Sequence, residues 1–263
     1  MSDLFDAIEL GNVDLVLKLL DQGYDPNQTD NDTLLGVSCL TNAGIQIVRA
    51  LVEKGANVKA ICDVDYTALH FACGFGNSLE VIKFLIENGA DINALNHYSP
   101  LHLALMFGES SDVIEYLIST GANVNEKDER IALHLALLTQ QEEKIISLLI
   151  KSGADVNAIN NATPLHYACE NRASFSVIKL LLDSGANIFA WNKMMPIDIV
   201  KKRKQTEIVE LLKQYQQKSK QQLRNRNFPS QFIQFIRIIL FTIILLIFVF
   251  IILKFENRYK KAK

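Results

Sequence analysis

Cysteine is scarce: Cys39, Cys62, Cys73 and Cys169 are the only four in 263 residues. They form no dense, regular framework, which excludes a disulfide-stapled scaffold. Basic residues are also scarce over most of the chain. Residues 1–192 hold 11 Lys and Arg against 25 Asp and Glu, a balance that argues against nucleic acid as a partner of this body. The N-terminus, MSDLFDAIEL, lacks the basic and apolar regions of a secretory signal, so a reducing cytosol is the expected compartment. After residue 192 the balance reverses, with 16 Lys and Arg against 4 Asp and Glu, and from Ile238 to Leu253 charge disappears altogether. A basic segment beside an apolar run suits an anionic membrane face.

What is present is periodic. His70, His102, His134 and His166 stand 32 residues apart. Two of them precede a cysteine by three residues, Cys73 and Cys169, a pairing that suggests metal or thiol ligands. The same slot after His102 and His134 holds Leu105 and Leu137, however, and a metal site gathers ligands at short, irregular spacings around one centre. Constant spacing marks a repeat. Gly23, Gly55, Gly89, Gly121, Gly153 and Gly185 follow the same plan at intervals of 32, 34, 32, 32 and 32 residues. Each copy reads as a turn, a short apolar helix, a second turn and a second helix. Units of this length bury their apolar faces only against neighbours, so the sequence specifies a solenoid.

The segments TPLHYAC, SPLHLAL, IKFLIENGADINA, LLIKSGADVNA and LLLDSGANI resemble the ankyrin repeat, over roughly residues 1–215. The resemblance implies an all-α ankyrin-repeat solenoid of helix-turn-helix units with short hairpin fingers. It also implies structural roles for the four histidines and for Cys169, and a non-enzymatic function. Pro100 and Pro164 fit the first position of a helix, and the periodic glycines fit the left-handed position just past a helix end. Acidic residues in the first copy (Asp3, Asp6, Glu9, Asp14) and the charged segment 193–215 read as wettable caps, giving seven units with both ends. Asn93, Asn125 and Asn157 stand where animal members of the family are hydroxylated; their first expected role is to bond the turn.

Departures from the family pattern point to candidate contact residues. Most connections from glycine to the next helix start are ten steps, as from Gly89 to Ser99, but Gly55 to Thr67 is twelve. NVKAICDVDY is thus a full-length finger, either a contact point or neutral loop drift. In this family the partner lies against the finger tips and the exposed side of the first helices. Those slots hold Tyr66, Phe75, Tyr98, Met106, Phe107 and Leu138 in repeats three to five, and Ala162, Glu170 and Asn171 in repeat six. Surface aromatics and methionine make interface anchors, whereas apolar residues at helical spacing also make ordinary core.

The run IILFTIILLIFVFIIL, Ile238 to Leu253, has Thr242 as its only non-hydrocarbon side chain. Its insertion into a bilayer gains roughly 5–9 kcal/mol, against a cost of about 3 for one central charge. Sixteen residues rise only about 24 Å, but a helix from Phe235 to Phe255 reaches roughly 31 Å, enough for a thin membrane. The expected organisation is a repeat domain (1–215), a polar basic linker (216–231), one transmembrane helix (232–255) and a short basic tail (256–263). Ten residues after Leu253 make this a tail-anchored arrangement, with the repeats cytosolic and an intracellular membrane such as the endoplasmic reticulum as host. The expected function is a protein-binding scaffold or adaptor at that membrane, with an unidentified protein partner and the bilayer. No cofactor, metal or small-molecule substrate is expected. Alternatives are a pathogen effector using the same surface at a host membrane and, more remotely, a subunit of a membrane enzyme complex. Acyltransferases that carry ankyrin units need several spans and an Asp-His-His-Cys site, which this sequence lacks.

Overall fold

A computed structural model describes residues 3–225, except 31, 63–64, 96, 108–109 and 127–130. The expected span at Ile238 to Leu253, its linker beyond Asn225 and the basic tail lie outside the described residues. Among the described residues, no helix is long and apolar enough to cross a membrane.

Fourteen described helices form seven consecutive pairs. The first three are α1 (Asp3–Glu9) with α2 (Val13–Asp21), α3 (Leu34–Leu40) with α4 (Ile45–Glu53), and α5 (Ala68–Gly74) with α6 (Leu79–Glu87). The next three are α7 (Pro100–Phe107) with α8 (Ser111–Ser119), α9 (Ala132–Leu138) with α10 (Glu143–Lys151), and α11 (Pro164–Glu170) with α12 (Phe175–Asp183). The last is α13 (Pro196–Lys202) with α14 (Thr206–Asn225). The repeat array closes as one compact unit at Leu212; the remainder of α14 belongs to a second unit.

The first helix of each pair packs on its counterparts before and after, and α2 to α12 form the second layer in the same way. Composition explains which helix goes where. Every residue of ALHFACG in α5 is buried, and so are Ala132 to Leu137 in α9, because a helix apolar on all sides must be enclosed. The second helices are one-sided. LEVIKFLIE in α6 buries only Val81, Ile82 and Leu85, and α10 only Ile145, Ile146 and Leu149. Each such side chain contributes about 1.5–3 kcal/mol before the cost of ordering the chain is set against it.

Two ladders of polar bonds fix the stacking. In the first, Thr67 N–H donates to His70 Nδ1 at 3.1 Å, so the ring carries its proton on Nε2 and donates to the carbonyls of Ala94 (3.1 Å) and Tyr98 (2.9 Å). His166 repeats this between Thr163 and the Met194 carbonyl, and His134 Nε2 reaches the Ala162 carbonyl at 2.9 Å. His102 Nδ1 lies 2.7 Å from Ser99 Oγ. In the second ladder, the side-chain amides of Asn27, Asn93, Asn125 and Asn157 donate to the carbonyls of Gly55, Gly121, Gly153 and Gly185. Their oxygens accept from the backbone N–H of Asn57, Asn123, Asp155 and Asn187. Asn93, Asn125 and Asn157 are the asparagines expected from sequence to bond the turn; their side chains bond the next repeat's turn, while in their own turn their backbone N–H groups donate to Oδ1 of Asp91, Asn123 and Asp155. The six periodic glycines all have φ between 89° and 107°, the left-handed region that a side chain would strain.

The ten-step fingers are not all unpaired. β1 (Thr29–Asp30) and β2 (Asp32–Thr33) close an antiparallel ribbon, and single bridges join Asn160 to Ala162 and Asn192 to Met194. The twelve-step finger is bridged at Ile61 and Thr67 and turns Cys62 inward. There the thiol lies 3.4 Å from Thr33 Oγ1. Repeat two carries Gly36 where repeats three to six carry histidine, and a Cβ on Gly36 would come within 2.5 Å of Cys62 Sγ. The sulfur fills the place an imidazole takes elsewhere. The longer finger, read from sequence as a contact point or drift, thus has a packing role.

Candidate interaction surface

The C-terminal ends of α5, α7 and α9 sit side by side because their helices stack. The slots four and five residues beyond the histidine are Gly74 and Phe75, Met106 and Phe107, Leu138 and Thr139. Phe75 is 46% exposed, Phe107 58% and Leu138 44%, so these three do not turn into the stack as core. The Phe75 and Phe107 rings stack with centroids 6.1 Å apart. Gly74 lies against the Phe107 ring, where an added Cβ would stand 3.5 Å away, an ordinary van der Waals contact.

Phe75 continues inward to buried Phe71 (5.9 Å), which meets Tyr66 edge-on at 5.9 Å; Tyr66 in turn stacks on His70 at 5.1 Å. Tyr66, Phe75 and Phe107 therefore belong to one chain of rings anchored on a core histidine. Tyr98 is half-buried and gives its carbonyl to that same histidine. Met106 is half-buried beside Phe107, and Leu138 takes the slot in the next repeat. In repeat six the slots hold Glu170 and Asn171, both on the polar end of α11.

Residues at the finger tips form a second apolar group that the sequence reading passed over. Ile159 is 78% exposed and Trp191 71%, and with Phe189, Ala162 and Ala190 they line a cleft of about 550 Å³. Ile61 and Leu95 are exposed on earlier fingers. Trp191 is the only tryptophan of the chain. Its position beyond the glycine-turn segment, two residues before the turn at Lys193, was the available signal.

The polar groups of the core are committed to structure. His166 uses Nδ1 on Thr163 and Nε2 on Met194, and Cys169 is fully buried, so neither atom set faces a ligand. Among the described residues, no group of three or more His, Cys, Asp or Glu is placed to hold a metal. Burial pushes the Cys39 and Cys169 thiols up to about 12, which leaves them as small apolar groups and not nucleophiles. Burial likewise depresses His70 and His134 below the ordinary value, holding both rings neutral, as the carbonyl-donating tautomer requires. One atom stands out. His134 Nδ1 is buried without a hydrogen-bond partner, because Ile131 occupies the cap position that Thr67, Ser99 and Thr163 hold in the sister repeats.

Known proteins place these features. The crystal structure of the human ASB11 ankyrin repeat domain superposes with a TM-score of 0.66 at 28% identity, covering 76% of this chain and 91% of that one. The human and mouse SH3 and multiple ankyrin repeat domains protein 1 are each 33% identical over 75 residues, 27% of this chain. The match spans only 4% of the length of those relatives. A family model described as ankyrin repeats (3 copies) matches residues 4–96 and 101–192, and a second, ankyrin repeats (many copies), matches 77–118. With most of its length matched in this way and the histidine and asparagine ladders in place, the chain belongs to the ankyrin-repeat family, an interaction module with nothing that points to enzymatic activity.

Proposed function

We propose that the array is a protein-binding scaffold whose partner lies against Tyr66, Phe75, Tyr98, Met106, Phe107 and Leu138, and that the apolar segment Ile238 to Leu253 tethers it to the cytosolic face of an intracellular membrane. The observation that carries the first half is the stacked, half-exposed pair Phe75 and Phe107. A phenylalanine ring buries about 150–250 Å² when enclosed. Half of that remains in water on each ring, so covering the pair gains roughly 2–3 kcal/mol per ring before association costs. Ring-on-ring packing and the anchor on Phe71 hold both side chains in place before a partner arrives, which lowers the entropy cost of docking.

The tether rests on the sequence of the apolar run and on the basic residues before it, Lys213, Lys218, Lys220, Arg224 and Arg226. Proximity labelling with the full chain tests the scaffold, comparing the natural sequence with the double variant Phe75→Ala/Phe107→Ala. Loss of a discrete set of neighbours in the double variant, with melting little changed, is expected; an unaltered set of neighbours rejects the strip. Carbonate extraction tests the tether separately. The protein is expected in the membrane pellet, and its release into the supernatant would reject the bilayer assignment.

A further inference from the structure

The slots that carry the apolar strip change character toward the end of the array. Counting four, five and six residues past the histidine slot gives Gly74, Phe75 and Gly76 in repeat three, and Leu138, Thr139 and Gln140 in repeat five. In repeat six the same slots hold Glu170, Asn171 and Arg172; in repeat seven, where Asp198 takes the histidine slot, they hold Lys202, Arg203 and Lys204. Arg172 and Lys204 adopt left-handed backbone, φ 56° and 59°, at the turn position that Asn42 and Gly76 occupy earlier. That conformation favours Gly or Asn, so the local backbone does not call for these cations.

Arg172, Lys202, Arg203 and Lys204 line one concavity of about 510 Å³ floored by Met194 and Ile199, and Glu170 is its one acid. No ion pair among the described residues engages any of these four cations; the pair in this repeat is Lys201 with Asp198. Lys202 and Arg203 stand at the C-terminal end of α13, where the helix dipole favours a cation and the end of the array needs a wettable face, but four like charges gathered in one hollow also repel each other, which a fold-only role does not require. They stand at the end of a body that is otherwise acidic, with 25 Asp and Glu against 11 Lys and Arg through residue 192.

We propose that the partner's docking segment is bipartite: apolar side chains cover Phe75, Phe107 and Leu138, and a run of Asp or Glu seats on Arg172, Lys202, Arg203 and Lys204. This rests on the reading of the strip as the binding face. It adds the charge, order and spacing of what binds there. Neighbouring helices lie ~8–10 Å apart, so the three steps from Phe107 to Lys202 span ~24–30 Å. An extended peptide covers that distance in about eight or nine residues. The net-acidic body disfavours the acidic half over most of its length and this end favours it, which sets the direction in which the segment lies.

The test is a selection of random peptides of about 14 residues, ~46 Å when extended, on the full chain held in detergent micelles. Selected peptides are expected to carry apolar residues followed or preceded, about eight residues away, by clustered Asp or Glu. Their binding is expected to weaken on the order of 10-fold in Lys202→Gln/Arg203→Gln/Lys204→Gln at about 0.15 M salt, and to depend less on those residues at high salt. It should weaken also in Phe107→Ala. Peptides that respond to Phe107→Ala and ignore the triple variant would overturn the bipartite assignment and leave the strip standing. Peptides that respond only to the triple variant, or to neither, or a selection that yields no binder, would overturn both. Triple-variant-sensitive binding to phosphatidylserine vesicles, with peptides indifferent to the same residues, would assign the hollow to lipid headgroups and overturn the inference.

Discussion

Replacing Ile131 by threonine should stabilise the protein, although it removes apolar surface. In the sister repeats the helix-capping hydroxyl meets the imidazole: Thr67 Oγ1 lies 2.9 Å from His70 Nδ1, Ser99 Oγ 2.7 Å from His102 Nδ1 and Thr163 Oγ1 2.8 Å from His166 Nδ1. At α9 the cap is Ile131, no side chain caps the helix, and His134 Nδ1 is left buried and unbonded. A threonine cap contributes about 1 kcal/mol. Giving the buried nitrogen its partner removes a desolvation cost of about 1–3 kcal/mol. Against this, two carbon atoms' worth of a half-buried isoleucine is lost, about 1 kcal/mol. The net expectation is a gain of about 1–3 kcal/mol, a rise in melting temperature of ~2–12 °C for an array of this size. Thermal unfolding followed by circular dichroism reads it, with Ile131→Val as a control that shortens the side chain and adds no hydroxyl. A melting temperature equal to or below that of the natural sequence would refute the idea that the histidine ladder is short of one bond.

The neutral histidines give a pH dependence. His70 and His134 are held below the ordinary 6.5, so as pH falls the unfolded chain takes up protons first; stability is full above that value and declines as pH drops through it toward the folded values. Melting should be lower at about pH 5.5 than at about pH 7.5, and an equal or higher value at the acid condition would contradict the neutral, carbonyl-donating rings. Gly36→Ala should cost about 1–3 kcal/mol, because its Cβ would stand 2.5 Å from Cys62 Sγ and 2.9 Å from Thr33 Oγ1, and a Cys62→Ala background should relieve the part of the cost that the sulfur causes. Strict additivity of the two changes in urea unfolding would remove the claim that Cys62 fills the imidazole's place. Cys39, Cys73 and Cys169 are fully buried and should resist a thiol reagent until the array unfolds; rapid labelling of Cys169 in the native protein would argue for an open site there.

Legibility from sequence followed how local each cause is. The left-handed glycines, the proline starts and the histidine spacing each reflect a constraint satisfied within one repeat or between neighbours, and so repeat visibly. Exposure of Phe75 and Phe107 was not decidable from spacing, because their slot lies at the last turn of a short helix, where one step separates core from surface. Three-dimensional packing decides it, leaving Phe75 46% and Phe107 58% exposed. Cys62 was hidden for a different reason. It replaces a histidine from another segment, 26 residues beyond Gly36, and only packing reveals the exchange. Trp191 and Ile159 were missed because finger tips have no periodic apolar pattern to follow; their exposure follows from the turn, not from the helix register. The charge hollow at Arg172 and Lys202 to Lys204 reads in sequence as an ordinary solvated run, and becomes a site candidate when stacking brings two repeats' turns into one concavity.

The most direct test of the binding face is Phe107→Ala measured two ways in one preparation, by affinity for a partner recovered through proximity labelling and by melting temperature. At 58% exposure the ring contributes about 1 kcal/mol to folding, against about 3–5 for Phe71, which is 4% exposed. The prediction is a loss of about 1–3 kcal/mol in binding with a melting shift of only a few degrees. A sharp fall in melting temperature, with binding reduced only in proportion to the unfolded fraction, would show that the residue is core and that the face has been placed wrongly.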